Sequence, residues 1–104
     1  MRISSEQQLR NLIKEGYMKM RYQNIEDLSL QVIEEDPGIN GADLADSVNE
    51  LFLINFPDQL ATEEEEVFAV LDDLIDKEAV FFDASEDTWH IHGSPEMMTI
   101  IHNL

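Results

Sequence analysis

The sequence predicts a mainly α-helical fold ending in a β-hairpin, and three stretches carry that prediction. Residues 62–77 place Val67, Phe68, Val70, Leu71, Leu74 and Ile75 on one apolar stripe with a period of about 3.6 residues. Residues 79–93 alternate instead: Val80-Phe81-Phe82, the turn Ala84-Ser85-Glu86-Asp87, then Thr88-Trp89-His90-Ile91, with the β-branched and aromatic content of two paired strands. Upstream, Pro37-Gly38 and Pro57 cut the remaining helical pattern into separate segments.

In chain order, Ser5 and Gln8 form a capping-box pair that opens a helix over residues 5–22, with Leu9, Leu12, Ile13, Gly16 and Met20 on one face. Gly16 costs about 1 kcal/mol relative to alanine within a helix, which marks a close contact or a kink. Arg10, Lys14, Tyr17 and Arg21 form a basic ridge beside that face. The ridge can lie on the molecule's own acidic body, on a second protomer or on a ligand, and we expect one of the first two, because such a partner is always at hand.

Asn24 reads as the N-cap of a second helix with Glu26 and Asp27 in its first turn, and Ile25, Leu28, Val32 and Ile33 as its buried face. Asn40 caps a third, in which Leu44, Val48, Leu51 and Phe52 face inward and Asp43, Asp46 and Glu50 outward. Residues 51–57 are the least polar run in the chain, and we expect the first helix to cover them rather than leave them as a partner-binding patch.

The helix over residues 62–77 has Thr62 and Glu65 as a capping box, and the glutamates at 63–66 sit where the helix dipole favours negative charge. Glu65, Glu66, Asp72, Asp73 and Asp76 fall opposite the apolar stripe, so the solvent face is a ridge of carboxylates. In the hairpin, Trp89 and Ile91 alternate with His90 and His92, which predicts a buried tryptophan and exposed histidines. His90 and His92 point the same way and with His102 could be imagined as metal ligands, but an i, i+2 pair without a demonstrated third ligand is a weak signal, so surface histidines and no metal are expected. Ser94 and Pro95 begin a short C-terminal helix over residues 94–104, whose Met97, Met98, Ile100 and Ile101 close the core or offer a dimer surface.

The order helix, helix, helix, hairpin, with Leu28-Ser29-Leu30-Gln31-Val32-Ile33 and Asn40-Gly41-Ala42-Asp43-Leu44-Ala45 before it and Leu71-Asp72-Asp73-Leu74-Ile75-Asp76 leading into the strands, resembles a winged-helix domain. The resemblance covers residues 24–93 and adds an extra N-terminal helix and a short C-terminal one. It implies that 62–77 is the recognition helix and 81–92 the wing. Winged-helix proteins that insert this helix into DNA need lysine and arginine there to neutralise phosphates. This chain has carboxylates instead, and its 56–61 connection is longer than a helix-turn-helix turn.

With 104 residues, 43% of them apolar, the chain suits a single domain over 1–104. Cysteine is absent, which excludes disulfides and thiolate metal sites, and with no signal-like apolar run near Met1 we expect a cytoplasmic protein. The net charge is −17, and it is divided sharply: residues 1–21 hold five of the six lysines and arginines and two of the 23 acids, so they carry +3 and the remainder −20. A body so charged repels nucleic acid and anionic membranes and attracts basic proteins.

No phosphate-binding loop, nucleophile elbow or zinc-protease motif occurs, so neither an enzyme nor a cofactor is expected. In size and composition the chain resembles the acidic DNA-mimic inhibitors that phages and mobile elements direct against restriction or CRISPR effectors. That likeness implies a partner with a basic nucleic-acid-binding site, met by Glu65, Glu66, Asp72, Asp73 and Asp76 together with Asp43, Asp46 and Glu50. A different class remains open: a transcription-related or assembly module that dimerises and contacts nucleic acid through Arg10, Lys14 and Arg21. A third is a structural subunit whose acidity matches one neighbour.

Overall fold

Residues 5–22 and 24–36, expected as two helices, form one: α1 runs unbroken over Arg2–Glu35. The structure, a computed structural model, describes residues 2–95, Met98 and Ile100, with side chains from Met18 onward. Asn24 caps nothing, because no glycine or proline lies nearby and asparagine inside a helix costs at most about 0.7 kcal/mol. Packing easily outweighs that. Tyr22, Ile25, Leu28, Ser29, Val32 and Ile33 carry a buried or half-buried face straight through the expected junction. The Ser29 hydroxyl, fully buried, donates to the Ile25 carbonyl at 2.7 Å.

Pro37 prevents continuation, and Gly38 takes φ = +90°, a conformation that side chains resist. The turn lets residues 38–39 run alongside the last strand: Gly38 N–H donates to Trp89 O and Trp89 N–H to Ile39 O, both at 2.9 Å. Helix α2 (Gly41–Asn55) then starts as expected, the Asn40 side chain accepting from Asp43 N–H at 2.8 Å.

Helix α3 (Glu64–Asp76) begins one residue later than its expected capping box. Thr62 is drawn inward, its N–H and hydroxyl donating to Asn49 Oδ1 at 2.9 and 3.1 Å, so it is buried against α2. Glu63 takes over as N-cap, its N–H reaching Glu66 Oε1 at 3.4 Å. At the other end Glu78 adopts φ = 58°, its N–H donating to Ile75 O and that of Ala79 to Leu74 O. Strands β1 (Val80–Asp83) and β2 (Thr88–Ile91) pair antiparallel, Phe82 opposite Trp89 and Phe81 opposite His90.

The core lies where α1, α2, α3 and the hairpin meet, built on Ile25, Ile33, Leu44, Phe52, Leu71 and Leu74, each at most 1% exposed. Half-buried Phe68 lies so close over Gly41 that a Cβ there would stand 3.2 Å from its ring. Three expectations fail at the edges of this core. Ile75 is 38% exposed, since it sits on the rim of the stripe rather than in it. Leu53 and Ile54, expected under the first helix, are exposed, although the Arg21 guanidinium of α1 does cover the Phe52 ring. His90 is 6% exposed: Phe81, its cross-strand partner, stands beside its ring, and Gly38 passes near enough that a Cβ there would stand 3.7 Å from Cε1. Alternation exposes a residue only where its side of the hairpin meets water, and at His90 these neighbours take the imidazole out of it. The expected helix over 94–104 falls largely outside the described residues; the Met98 N–H bond to Ser94 O, at 3.1 Å, agrees with its first turn. His102 lies outside them as well.

Candidate partner-binding surface

The carboxylates of α3 do not share one environment. At about 100° per residue, Glu65, Asp72 and Asp76 stand directly opposite Val67, Val70, Leu71 and Leu74, and all three are exposed. Glu66 and Asp73 lie on the flank of that ridge, where α1 passes. Five residues expected to act together are therefore divided into three that face solvent and two that hold the fold.

Arg21 and Glu66 form a two-pronged ion pair, Nε to Oε2 at 2.6 Å and Nη2 to Oε1 at 2.9 Å. The same guanidinium donates to the carbonyls of Leu60 and Ala61, both at 3.0 Å, and stacks 4.8 Å from the centre of the Phe52 ring. It thereby ties α1 to the end of α2, the loop and α3. The hydrogen bond from Arg21 holds the Glu66 carboxyl below its ordinary range, against an opposing push from burial. One residue on, the Tyr22 hydroxyl donates to Asp73, and that bond, helped by burial and by the charges of Asp73 and Glu26, pushes its pKa up to about 12. Lys77 donates to Glu26 at 3.2 Å and lies 5.9 Å from the Tyr22 ring, closing a third link between α3 and α1.

On α2 the expected outward acids Asp43, Asp46 and Glu50 are all exposed, opposite buried Leu44, Ala45, Val48 and Phe52. The Asn40 side-chain amide donates to Asp43 Oδ2 at 2.9 Å, which steadies that carboxylate without neutralising it. Among the described residues, Glu65, Asp72, Asp76, Asp46 and Glu50 take part in no ion pair. Exposed and unneutralised, they can accept hydrogen bonds from lysine and arginine side chains. Among the described residues no three histidine, aspartate or glutamate side chains converge to hold a metal ion, and no helix is long and apolar enough to cross a membrane.

Of the expected basic ridge, the side chains of Arg10 and Lys14 lie outside the described residues, and Arg21 is committed to the body. Sequence reasoning missed Tyr22, Glu26 and Asn49 as its structural counterparts. The available signal was the unbroken period from Arg21 to Ile25, which places both on the body side of a single helix.

Beside the Arg21–Glu66 bridge α1 and α3 leave two apolar-floored grooves. One, of ≈ 240 Å³, is lined by Met18, Tyr22, Ile25, Ala69 and Val70 next to the pair. The other, of ≈ 710 Å³, lies towards Leu60, Thr62 and Glu63. Compared with known proteins, the chain matches no family model, and no curated protein matches it.

Proposed function

We propose that this chain is a small acidic binding protein that occupies the basic nucleic-acid site of another protein, presenting carboxylates where that site expects phosphates. One observation carries the reading: Glu65, Asp72 and Asp76 on α3 stand exposed in a row with no cation of the described chain paired to them. Along the helix axis Glu65 and Asp72 are about 10 Å apart and Asp72 and Asp76 about 6 Å, close to three and two nucleotide steps of B-DNA. Asp43, Asp46 and Glu50 add a second acidic row on α2.

The scaffold we propose is winged-helix-like. The order α1, the Ile39 bridge, α2, α3 and the β1–β2 hairpin supports it, with α3 in the recognition position and the hairpin as wing. In that position carboxylates repel DNA, so the helix addresses proteins that bind DNA. The rival in which the basic helix contacts nucleic acid is disfavoured by Arg21, whose guanidinium is engaged by Glu66 and two carbonyls. The test is capture from a nuclease-treated cell lysate at low and high salt by the wild-type chain and by Glu65→Gln/Asp72→Asn/Asp76→Asn. Basic nucleic-acid-binding proteins held only by wild type and released by salt are the expected result. Equal capture by the variant would remove the ridge from the mechanism.

A further inference from the structure

The sequence of helix α1 carries two apolar stripes, and its unbroken helical backbone sets them about half a turn apart. Residues 22–33 bury Ile25, Leu28, Val32 and Ile33 against the body. At about 100° per residue, Leu9, Leu12, Ile13, Gly16 and Met20 centre about 180° from that face. Met20, the member of this second stripe whose side chain is described, is 68% exposed. Helical stability in proteins comes chiefly from packing of an apolar face, so a second apolar stripe calls for a partner.

Its own body cannot supply one. The helix is unbroken from Arg2, so Leu9 lies about 17 Å along the axis from Met20 and cannot turn back to the grooves beside Arg21. Those grooves have what the stripe lacks. Their floor is Ala69, Val70 and Met18, the last 59% exposed, with Leu60, 81% exposed, at one edge. Exposed Glu63 lines the larger groove at the start of α3. The complement is an apolar helix flanked by cations, and residues 1–21, at +3, are the only cationic segment of the chain.

We propose that a second copy of this chain supplies that helix: the N-terminal arm of each α1 docks between α1 and α3 of its partner, in a reciprocal two-fold dimer. Charge selects this arrangement over direct pairing of the two arms: residues 1–20, without the body-bound Arg21, would bring +2 against +2, whereas the rest of the partner carries −19. Glu65, Asp72 and Asp76 centre about 100° around α3 from Glu66 and line neither groove, so the dimer leaves the acidic ridge to another protein.

The chain has no cysteine, which makes directed cross-linking clean. Ile13→Cys and Ala69→Cys, the latter at an exposed position of α3, are purified separately, mixed and oxidised. The expected product is a disulfide-linked pair of the two variants, with wild type sedimenting at twice its 12.0 kDa monomer mass and Ile13→Asp sedimenting as a monomer while the hairpin and core still melt cooperatively. Self-linking of Ile13→Cys at the same yield would show arm-on-arm pairing and overturn the proposal. A monomeric wild type, absence of the mixed product, or duplex DNA that binds the arm in place of a second copy would overturn it too.

Discussion

The guanidinium of Arg21 grips the Glu66 carboxylate with two nitrogens, Nε at 2.6 Å and Nη2 at 2.9 Å, and thereby joins the most basic segment of the chain to its most acidic helix. The pair is largely sheltered, the arginine side chain being 13% exposed. Arg21→Ala should therefore cost about 2 kcal/mol in a denaturant melt, between the values for exposed and buried pairs. Arg21→Lys keeps the charge but loses the fork and the two carbonyl bonds, and should recover only about half of that. Equal stability of all three proteins would show that α1 is held by its apolar face alone.

Tyr22 and Asp73 give the same junction an alkaline limit. The folded phenol titrates at about 12 against 10.0 for a free tyrosine, so the folded state holds this proton more tightly than the unfolded one. That contribution is complete below the unfolded value and disappears as pH rises through the folded one. Melting temperature should fall between those limits in wild type, and Tyr22→Phe should show a smaller fall over the same window. Glu66 and Asp83 act at the other end, since hydrogen bonds from Arg21 and from the Ser85 hydroxyl hold both carboxyls below their usual values. Their contributions are present above pH 4.5 and 3.8 respectively and vanish as pH drops through the lowered values. Glu66→Gln should flatten the acid limb; an unchanged limb would remove the pair from the acid response.

Trp89 and His90 are both buried, each 6% exposed, so each should matter. Trp89→Ala should cost about 3–5 kcal/mol, as for other buried large aromatics. His90→Ala, which empties the space beside Phe81 and breaks the contact of Nε2 with the Thr88 hydroxyl at 3.0 Å, should cost about 2 kcal/mol. A negligible effect at His90 would mean that its imidazole is not buried in solution.

The end of α3 offers a stabilising change. Glu78 stands in the left-handed region at φ = 58°, where a side chain is strained and glycine is not. Glu78→Gly should raise stability by about 0.5–1 kcal/mol, measured by denaturant melts. Destabilisation would indicate that the Glu78 side chain makes contacts that offset its backbone strain.

The sequence displayed most of the local structure because its signals were short-range. The period of Val67, Val70, Leu71 and Leu74, the Asn40 cap and the Ala84–Asp87 turn depend on neighbouring residues and appear where expected. What it concealed depended on distant contacts. Thr62 is the better cap by residue type, yet Asn49, thirteen residues earlier, captures its hydroxyl. Asn24 resembles a helix start until the buried face passing through it is taken into account. His90 looks exposed by alternation, and its burial shows only once residues 38–39 are seen to run along β2 and Phe81 to stand beside the imidazole. The acidic ridge was legible as a row of charges, but its division was not, because Glu66 and Asp73 are distinguished from Asp72 and Asp76 by Arg21 and Tyr22, more than forty positions away.

The central claim is that Glu65, Asp72 and Asp76 occupy a site built for phosphates. The most direct measurement immobilises the wild-type chain, loads it from a nuclease-treated lysate, and elutes with duplex DNA at constant ionic strength. If the ridge imitates DNA, the duplex displaces the captured protein, which then binds that DNA, and a column of Glu65→Gln/Asp72→Asn/Asp76→Asn retains none of it. A captured protein that stays bound in excess DNA, or that the substituted ridge retains as well as wild type, would contradict the account.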